Sequence, residues 1–215
     1  MPTNNIVKYE TKRNNLYLRV VKGHFATPNR HTNYFIDVAA QKSRLSEAKA
    51  VAEEIRSYYF NKTIVDTILC LDGTEVIGTL LAEELTESSF MNMNAHRSIY
   101  IVTPETMGNS QLLFRDNTVP MIEGKNVMIL AVSVSSGKTV ANAMEAINYY
   151  GGNVSGISAI FSDLDKLDDI PIYSCFSTKD LEDHAVYKAH ECPLCKAGVK
   201  LDAMVNCYGF SKFGK

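Results

Sequence analysis

No run of apolar residues in this 215-residue chain is long enough to cross a bilayer. The longest, residues 127–134, is interrupted by Ser133 and falls far short of the ~20 residues a spanning helix needs. The first five residues, Met1-Pro2-Thr3-Asn4-Asn5, are polar and no apolar stretch follows them, so no secretion signal is read there. Basic charge is not in excess: 22 Lys and Arg stand against 24 Asp and Glu, for a net charge of -2. General nucleic-acid binding is therefore disfavoured. No internal repeat or low-complexity tract occurs. Five cysteines, an odd number without a secretion signal, fit a reducing, cytoplasmic setting rather than a disulfide framework. A composition of 46% hydrophobic and 21% charged residues excludes disorder of the whole chain, and the length allows a sizeable core.

The first 40 residues read as strands and turns. Residues 16–21 and 34–38 are β-prone, and Thr27-Pro28-Asn29-Arg30 between them is turn chemistry. Residues 43–59 carry Leu45, Ala48, Val51, Ala52 and Ile55 at helical spacing, with Ser43 or Ser46 as cap. From residue 63 the pattern becomes strand–turn–helix. Strands are expected at 64–71, 98–102, 125–133, 154–161 and 172–176, and helices at 74–84 and 138–150, the latter stopped by Gly151-Gly152. Residues 178–187 read as a polar turn or helix. Apolar strands alternating with helices imply an α/β fold, a central parallel sheet covered on both faces, with ligands at the carboxyl ends of the strands. Residues 103–124 have no clear period and hold Pro104, Gly108, Asn109, Ser110, Asp116, Asn117, Pro120 and Gly124. A segment of that length is expected to be a functional loop or lid, or else a mobile surface excursion.

The most informative stretch is Val127-Met128-Ile129-Leu130-Ala131-Val132-Ser133-Val134-Ser135-Ser136-Gly137-Lys138-Thr139. A buried strand runs into a small hydroxyl-rich turn that opens a helix. The first amides of a helix have no partner within it, and the helix dipole adds positive charge there. Ser135, Ser136 and Thr139 add donors, Gly137 allows close approach, and Lys138 brings a charge. Together these suit a phosphate monoester. A P-loop would need Gly at position 132, where this chain has Val132. A turn that is simply capped, with no ligand, is the bland alternative.

On these residues the chain resembles the type I phosphoribosyltransferases, especially the orotate enzymes. Their signature is a hydrophobic strand, two acidic residues and a loop of the form Val-Ile-Thr-Thr-Gly-x-Thr, whose loop half is matched by Val134-Ser135-Ser136-Gly137-Lys138-Thr139. Residues 18–38, with Gly23-His24-Phe25 and Asn33-Tyr34-Phe35-Ile36-Asp37, look like the orotate enzymes' N-terminal hood. Leu71-Asp72-Gly73-Thr74 sits where the family has its pyrophosphate loop, and 103–124 where it keeps a catalytic lid. The resemblance spans roughly residues 16–162. It implies a type I phosphoribosyltransferase fold with a small N-terminal hood: a single domain with a hood-like segment at 1–42, a core at 43–162 and a C-terminal extension at 163–215. It implies phosphate binding by Ser135, Ser136, Gly137, Lys138 and Thr139, pyrophosphate binding by Asp72, Gly73 and Thr74, and Mg2+ as cofactor. The implied ligands are phosphoribosyl pyrophosphate or a nucleoside monophosphate, in pyrimidine nucleotide metabolism, and the implied assembly is a homodimer.

Departures from the family are equally plain. Ala131 and Val132 occupy the two acidic positions. The lid has neither Lys nor His, and Arg115 is its one strong cation. Where the family places an arginine that reads orotate, this chain has Phe161-Ser162-Asp163. No catalytic residue is assigned, although Asp72 or Glu75 could supply a substitute carboxylate. Transfer to a nitrogenous base is the leading reading, and a weak or inactive phosphoribosyl- or nucleotide-binding regulator is the alternative. In the tail, Cys192-Pro193-Leu194-Cys195 fits two corners of a zinc site, a redox pair or a plain turn with buried thiols. Cys175, His184, His190 and Cys207 are the candidates for completing a zinc site, whereas His24, His31 and His96 show no ligand spacing. No metal ligand is assigned. Tyr149 and Tyr150 read as packing residues rather than a base-stacking pair.

Overall fold

The structure is a computed structural model that describes residues 7–10, 16–28, 30–87, 92–95, 98–108 and 110–213. Asn29, His96, Asn109 and the N-terminal five residues, named above, lie outside it. The chain forms two compact units, one of Met1–Ala40 with Thr178–Lys215 and one of Gln41–Ser177.

The first unit opens with β1 (Val7–Glu10), β2 (Tyr17–Ala26) and β3 (His31–Asp37), paired antiparallel in sequence order. The β2–β3 turn is held by Thr27, whose hydroxyl accepts from the Arg30 amide at 2.9 Å. A short helix, α1 (Ala39–Ser43), leads into the second unit.

There α2 (Leu45–Tyr59) buries Ala48, Val51, Ala52 and Ile55 of the stripe its spacing predicts, together with Glu54 and Tyr59. Leu45 departs from that stripe: at the first helical position it is 61% exposed. Neither Ser43 nor Ser46 caps the helix; Arg44 is the N-cap and its carbonyl receives the amides of Glu47 and Ala48. Next come β4 (Thr67–Cys70), α3 (Glu75–Thr86), β5 (Tyr100–Val102), the short β6 (Glu105–Thr106) and β7 (Leu112–Leu113), β8 (Asn126–Val134), α4 (Lys138–Tyr149), β9 (Asn153–Ser162), β10 (Lys166–Leu167) and β11 (Ile170–Ser177). The main sheet has the order β10-β11-β9-β8-β4-β5. Its strands are parallel except β10, which runs antiparallel to β11. The sheet thus continues past residue 162, because the apolar strand β11 pairs parallel with β9.

β8 is buried from Val127 to Val132, which is why it reads as an unbroken apolar run. Its residues Val127, Ile129 and Ala131 pack with Leu69, Ile157, Ala159, Val140, Ala143 and Ile147 into one core cluster. Segment 103–124 is partly ordered by that core. β6 and β7 pair as a hairpin, Val119–Met121 form a 3-10 turn, and Phe114 and Ile122 are buried in the cluster.

The chain then returns to the first unit with β12 (Val186–Tyr187), α5 (Pro193–Lys196), β13 (Ala203–Asn206) and β14 (Gly209–Lys212). β12 pairs with β3, and β13 lies parallel to β2. Val21, Phe25, Phe35, Ala203 and Val205 form a small core in this unit.

Candidate functional site

The chain leaves β4 for β5 on one side of it and then returns for β8 on the other. Strand order therefore reverses between β4 and β8, the place where open parallel sheets bind ligands beyond their carboxyl ends. Both turns singled out in the sequence lie there: Asp72-Gly73 after β4 and residues 135–137 after β8.

The β8 turn owes its shape to one residue. Gly137 is the N-cap of α4, with φ 76° and ψ -9°, a left-handed conformation that disfavours side chains. A glycine cap has no side chain of its own to offer the first amides of α4. The helix begins through the Ala141 amide bonding to the Gly137 carbonyl at 2.8 Å. The Ser136 hydroxyl accepts only a long bond, 3.4 Å, from the Lys138 amide. Ser135, Ser136, Lys138 and Thr139 are exposed around this end. Amides without intrahelical partners, a positive dipole end, three hydroxyls and one ammonium are the features that suit a dianionic phosphate. Gly137 itself is buried: a Cβ there would stand 2.8 Å from Leu167 Cδ1 and 3.3 Å from Leu164 Cδ1. Its missing side chain therefore makes room for the protein's own leucines, not for the anion.

The β4 turn is built differently. Asp72 (φ 58°) and Gly73 (φ 79°) are both left-handed. Lys42 Nζ donates to the Asp72 carbonyl at 2.8 Å. The buried Thr74 hydroxyl donates towards the carbonyls of Leu71 and Leu130, at 2.9 and 3.1 Å, tying the turn to β8. Glu75 opens α3, and its Oε1 accepts from the Thr103 hydroxyl at 3.0 Å. The structure thus sets 72–74 and 135–139 just after two neighbouring strands, at the carboxyl ends of the sheet.

Ala131 and Val132 are 1% and 2% exposed. No acid faces the site from that part of β8. Arg115 is engaged within its own segment: Nε and Nη2 grip the Glu105 carboxylate at 2.9 and 2.6 Å, and this hydrogen bond holds the Glu105 carboxyl below its usual pKa. Beside the β8 turn, the Asp163 amide donates to the Val134 carbonyl at 2.8 Å, so the Phe161-Ser162-Asp163 end of β9 lies next to it. Tyr150 packs edge-on against Phe114 with 5.2 Å between ring centroids, in line with a packing role. Tyr149 is 83% exposed.

In the other unit, Cys192 and Cys195 are not completed by the expected residues. His190 Nε2 lies 3.2 Å from the Glu191 carboxylate, His184 packs on the Tyr34 ring, and Cys175 sits on β11 of the sheet unit. The groups gathered with the two thiols are His24 and His31, which show no ligand spacing in the sequence.

No protein-family model matches the chain. It is similar to the orotate phosphoribosyltransferase of Chlorobaculum parvum, with 24% identity over 188 residues, 86% of this chain and 88% of that protein. In structure it is similar to a phosphoribosyltransferase from Corynebacterium diphtheriae, with a TM-score of 0.51 and 15% identity over 75% of this chain and 90% of that one. It is also similar to an adenine phosphoribosyltransferase from Leishmania donovani, with a TM-score of 0.50 and 15% identity over 74% of this chain and 78% of that one. The chain thus has the type I phosphoribosyltransferase fold, and its likeness to that family, orotate phosphoribosyltransferases among them, runs through most of its sequence.

Proposed function

We propose that this chain is a phosphoribosyltransferase that seats the 5-phosphate of phosphoribosyl pyrophosphate, or of the product nucleotide, on residues 135–139. The observation that carries the reading is the open α4 terminus capped by Gly137 at the reversal point of the sheet. The similarity to orotate phosphoribosyltransferases supports transfer of the phosphoribosyl group to a nitrogenous base.

The pyrophosphate end of the donor is assigned to the turn Asp72-Gly73-Thr74, with the buried Thr74 hydroxyl acting by tying that turn to β8. Magnesium typically takes one or two carboxylates together with substrate phosphate oxygens and water. Asp72 offers one carboxylate in the β4 turn, so the donor's own oxygens would supply most protein-side ligands a richer site would provide. When bound, the ion neutralises charge on the leaving pyrophosphate.

Two acids are missing at Ala131 and Val132, and loss of one preorganised charge-stabilising group lowers a rate by ~10²–10³. Turnover is accordingly slow unless Asp72 or Glu75 substitutes. Phe161-Ser162-Asp163 stands where the family carries the arginine that reads orotate, so a cation for orotate's carboxylate is lacking there and orotate is not assigned as the acceptor. Homodimerisation is part of the same reading, and size-exclusion chromatography with light scattering tests it.

The deciding experiment mixes the chain with phosphoribosyl pyrophosphate, Mg2+ and a panel of purine and pyrimidine bases, and measures pyrophosphate release. Base-dependent release establishes the transferase. Tight donor binding without release for any base would establish the regulator that Ala131 and Val132 by themselves suggest.

A further inference from the structure

Four groups meet inside the unit formed by Met1–Ala40 and Thr178–Lys215: His24, His31, Cys192 and Cys195, whose ligand-capable atoms all lie within 4.8 Å of one another. They come from segments about as far apart as the chain allows. His24 lies in the irregular part of the β2–β3 pairing, between Lys22 and Phe25, where a bulge re-aims a side chain. Its backbone is clamped on both sides by Asp202: the His24 amide donates to Asp202 Oδ2 at 2.8 Å, and the His24 carbonyl accepts from the Asp202 amide at 2.8 Å. Cys192 is fully buried and is the N-cap of α5, and Cys195 follows on the same turn.

The orientation of His24 is fixed. Its Nδ1–H donates to the Val199 carbonyl at 2.9 Å, so in the neutral ring the lone pair is on Nε2. That one nitrogen faces three groups at once: His31 Nδ1 at 3.3 Å, Cys192 Sγ at 3.4 Å and Cys195 Sγ at 3.6 Å. Cys195 Sγ also lies 3.3 Å from His31 Nδ1. A single lone pair cannot accept hydrogen bonds from three neighbours, but one metal ion can be shared by all four atoms. Tetrahedral zinc, with sulfur at ~2.3 Å and nitrogen at ~2.0–2.1 Å, sets ligand atoms about 3.3–3.4 Å apart for two nitrogens and about 3.5–3.6 Å apart for nitrogen and sulfur. The four separations observed fall on or close to those values. The Val199 carbonyl is the outer partner that orients a metal-bound imidazole.

The geometry points to a structural zinc site, ligated by His24 Nε2, His31 Nδ1, Cys192 Sγ and Cys195 Sγ, that fastens the β2–β3 hairpin to the C-terminal segment. Two nitrogens and two thiolates in a tetrahedron select zinc among common divalent ions. Binding releases the two thiol protons to solvent, and two thiolates neutralise the ion. All four positions are filled by protein, so the site is structural and leaves no place for a substrate. The site belongs to a different unit from residues 135–139 and does not depend on the transferase reading.

The test uses the full chain, purified with a thiol reductant. Elemental analysis after dialysis should find one zinc per chain, and Co2+ in its place should give the intense visible bands of tetrahedral cobalt with thiolate charge transfer. Cys195 is exposed, so Cys195→Ser removes a ligand without opening the core, and it should lower zinc affinity at least a hundredfold in competition with a chelator. Cys207→Ser should leave binding unchanged. Chelation should make residues 178–215 sensitive to protease while 41–177 stays resistant. A reduced wild-type chain that holds no stoichiometric zinc, an octahedral cobalt spectrum, or full zinc retention in Cys195→Ser would each overturn the assignment.

Discussion

Replacing Gly137 by alanine perturbs the proposed phosphate site at the position on which its shape depends. The residue has φ 76°, and a left-handed backbone costs a residue with a Cβ roughly 1–2 kcal/mol. The new Cβ would also lie 2.8 Å from Leu167 Cδ1, so that leucine must swing aside. Both effects act on the turn's own packing and leave its solvent face clear. If the turn relaxes out of its receptive shape, the backbone term alone weakens binding roughly 5- to 30-fold, because the competent conformation becomes the minor one. Calorimetric titration with ribose 5-phosphate reads the phosphate contact without the pyrophosphate, and circular dichroism confirms that the variant is folded. A folded Gly137→Ala protein that binds ribose 5-phosphate within twofold of the unmodified chain would refute the argument from backbone geometry.

Ser136→Ala removes a hydroxyl donor from a dianion and should weaken ribose 5-phosphate binding about tenfold or more in the same titration. Ala131→Asp, which re-creates one family acid, places a carboxylate in a buried core and should cost at least ~2 kcal/mol in denaturant unfolding of the sheet unit. Amide hydrogen exchange should be fast over residues 103–113 and slow around Phe114 and Ile122, with 103–113 slowing when the donor binds. Burial pushes the Cys70 thiol up to about 12, so iodoacetamide at pH 8 should leave it unmodified in the folded chain, as peptide mass mapping would show.

The parallel sheet was legible in the sequence because β8 is almost unbroken apolar sequence, and α2 and α4 carry their stripes at helical spacing. Gly137 could be placed at the mouth of α4 because a strand, a turn and a helix follow one another there without interruption. What escaped was tertiary in origin. Leu45 has the right spacing but sits at the helix start, where it is left exposed. Phe114 and Ile122 stand in an aperiodic segment, and only the surrounding core shows that they anchor its second half. His24 and His31 match no ligand spacing, and their partners Cys192 and Cys195 arrive from the far end of the chain. Gly23 within the strand was an available signal, since an interior glycine often marks a bulge, and a bulge re-aims neighbouring side chains such as His24.

The central claim is that the turn after β8 holds the 5-phosphate. A crystal structure of the chain grown with ribose 5-phosphate tests it most directly. The account predicts the phosphate within hydrogen-bond distance of the backbone amides of residues 136–139 and of the Ser135, Ser136 and Thr139 hydroxyls. Phosphate bound elsewhere, with the amides of residues 136–139 free of it, would contradict it.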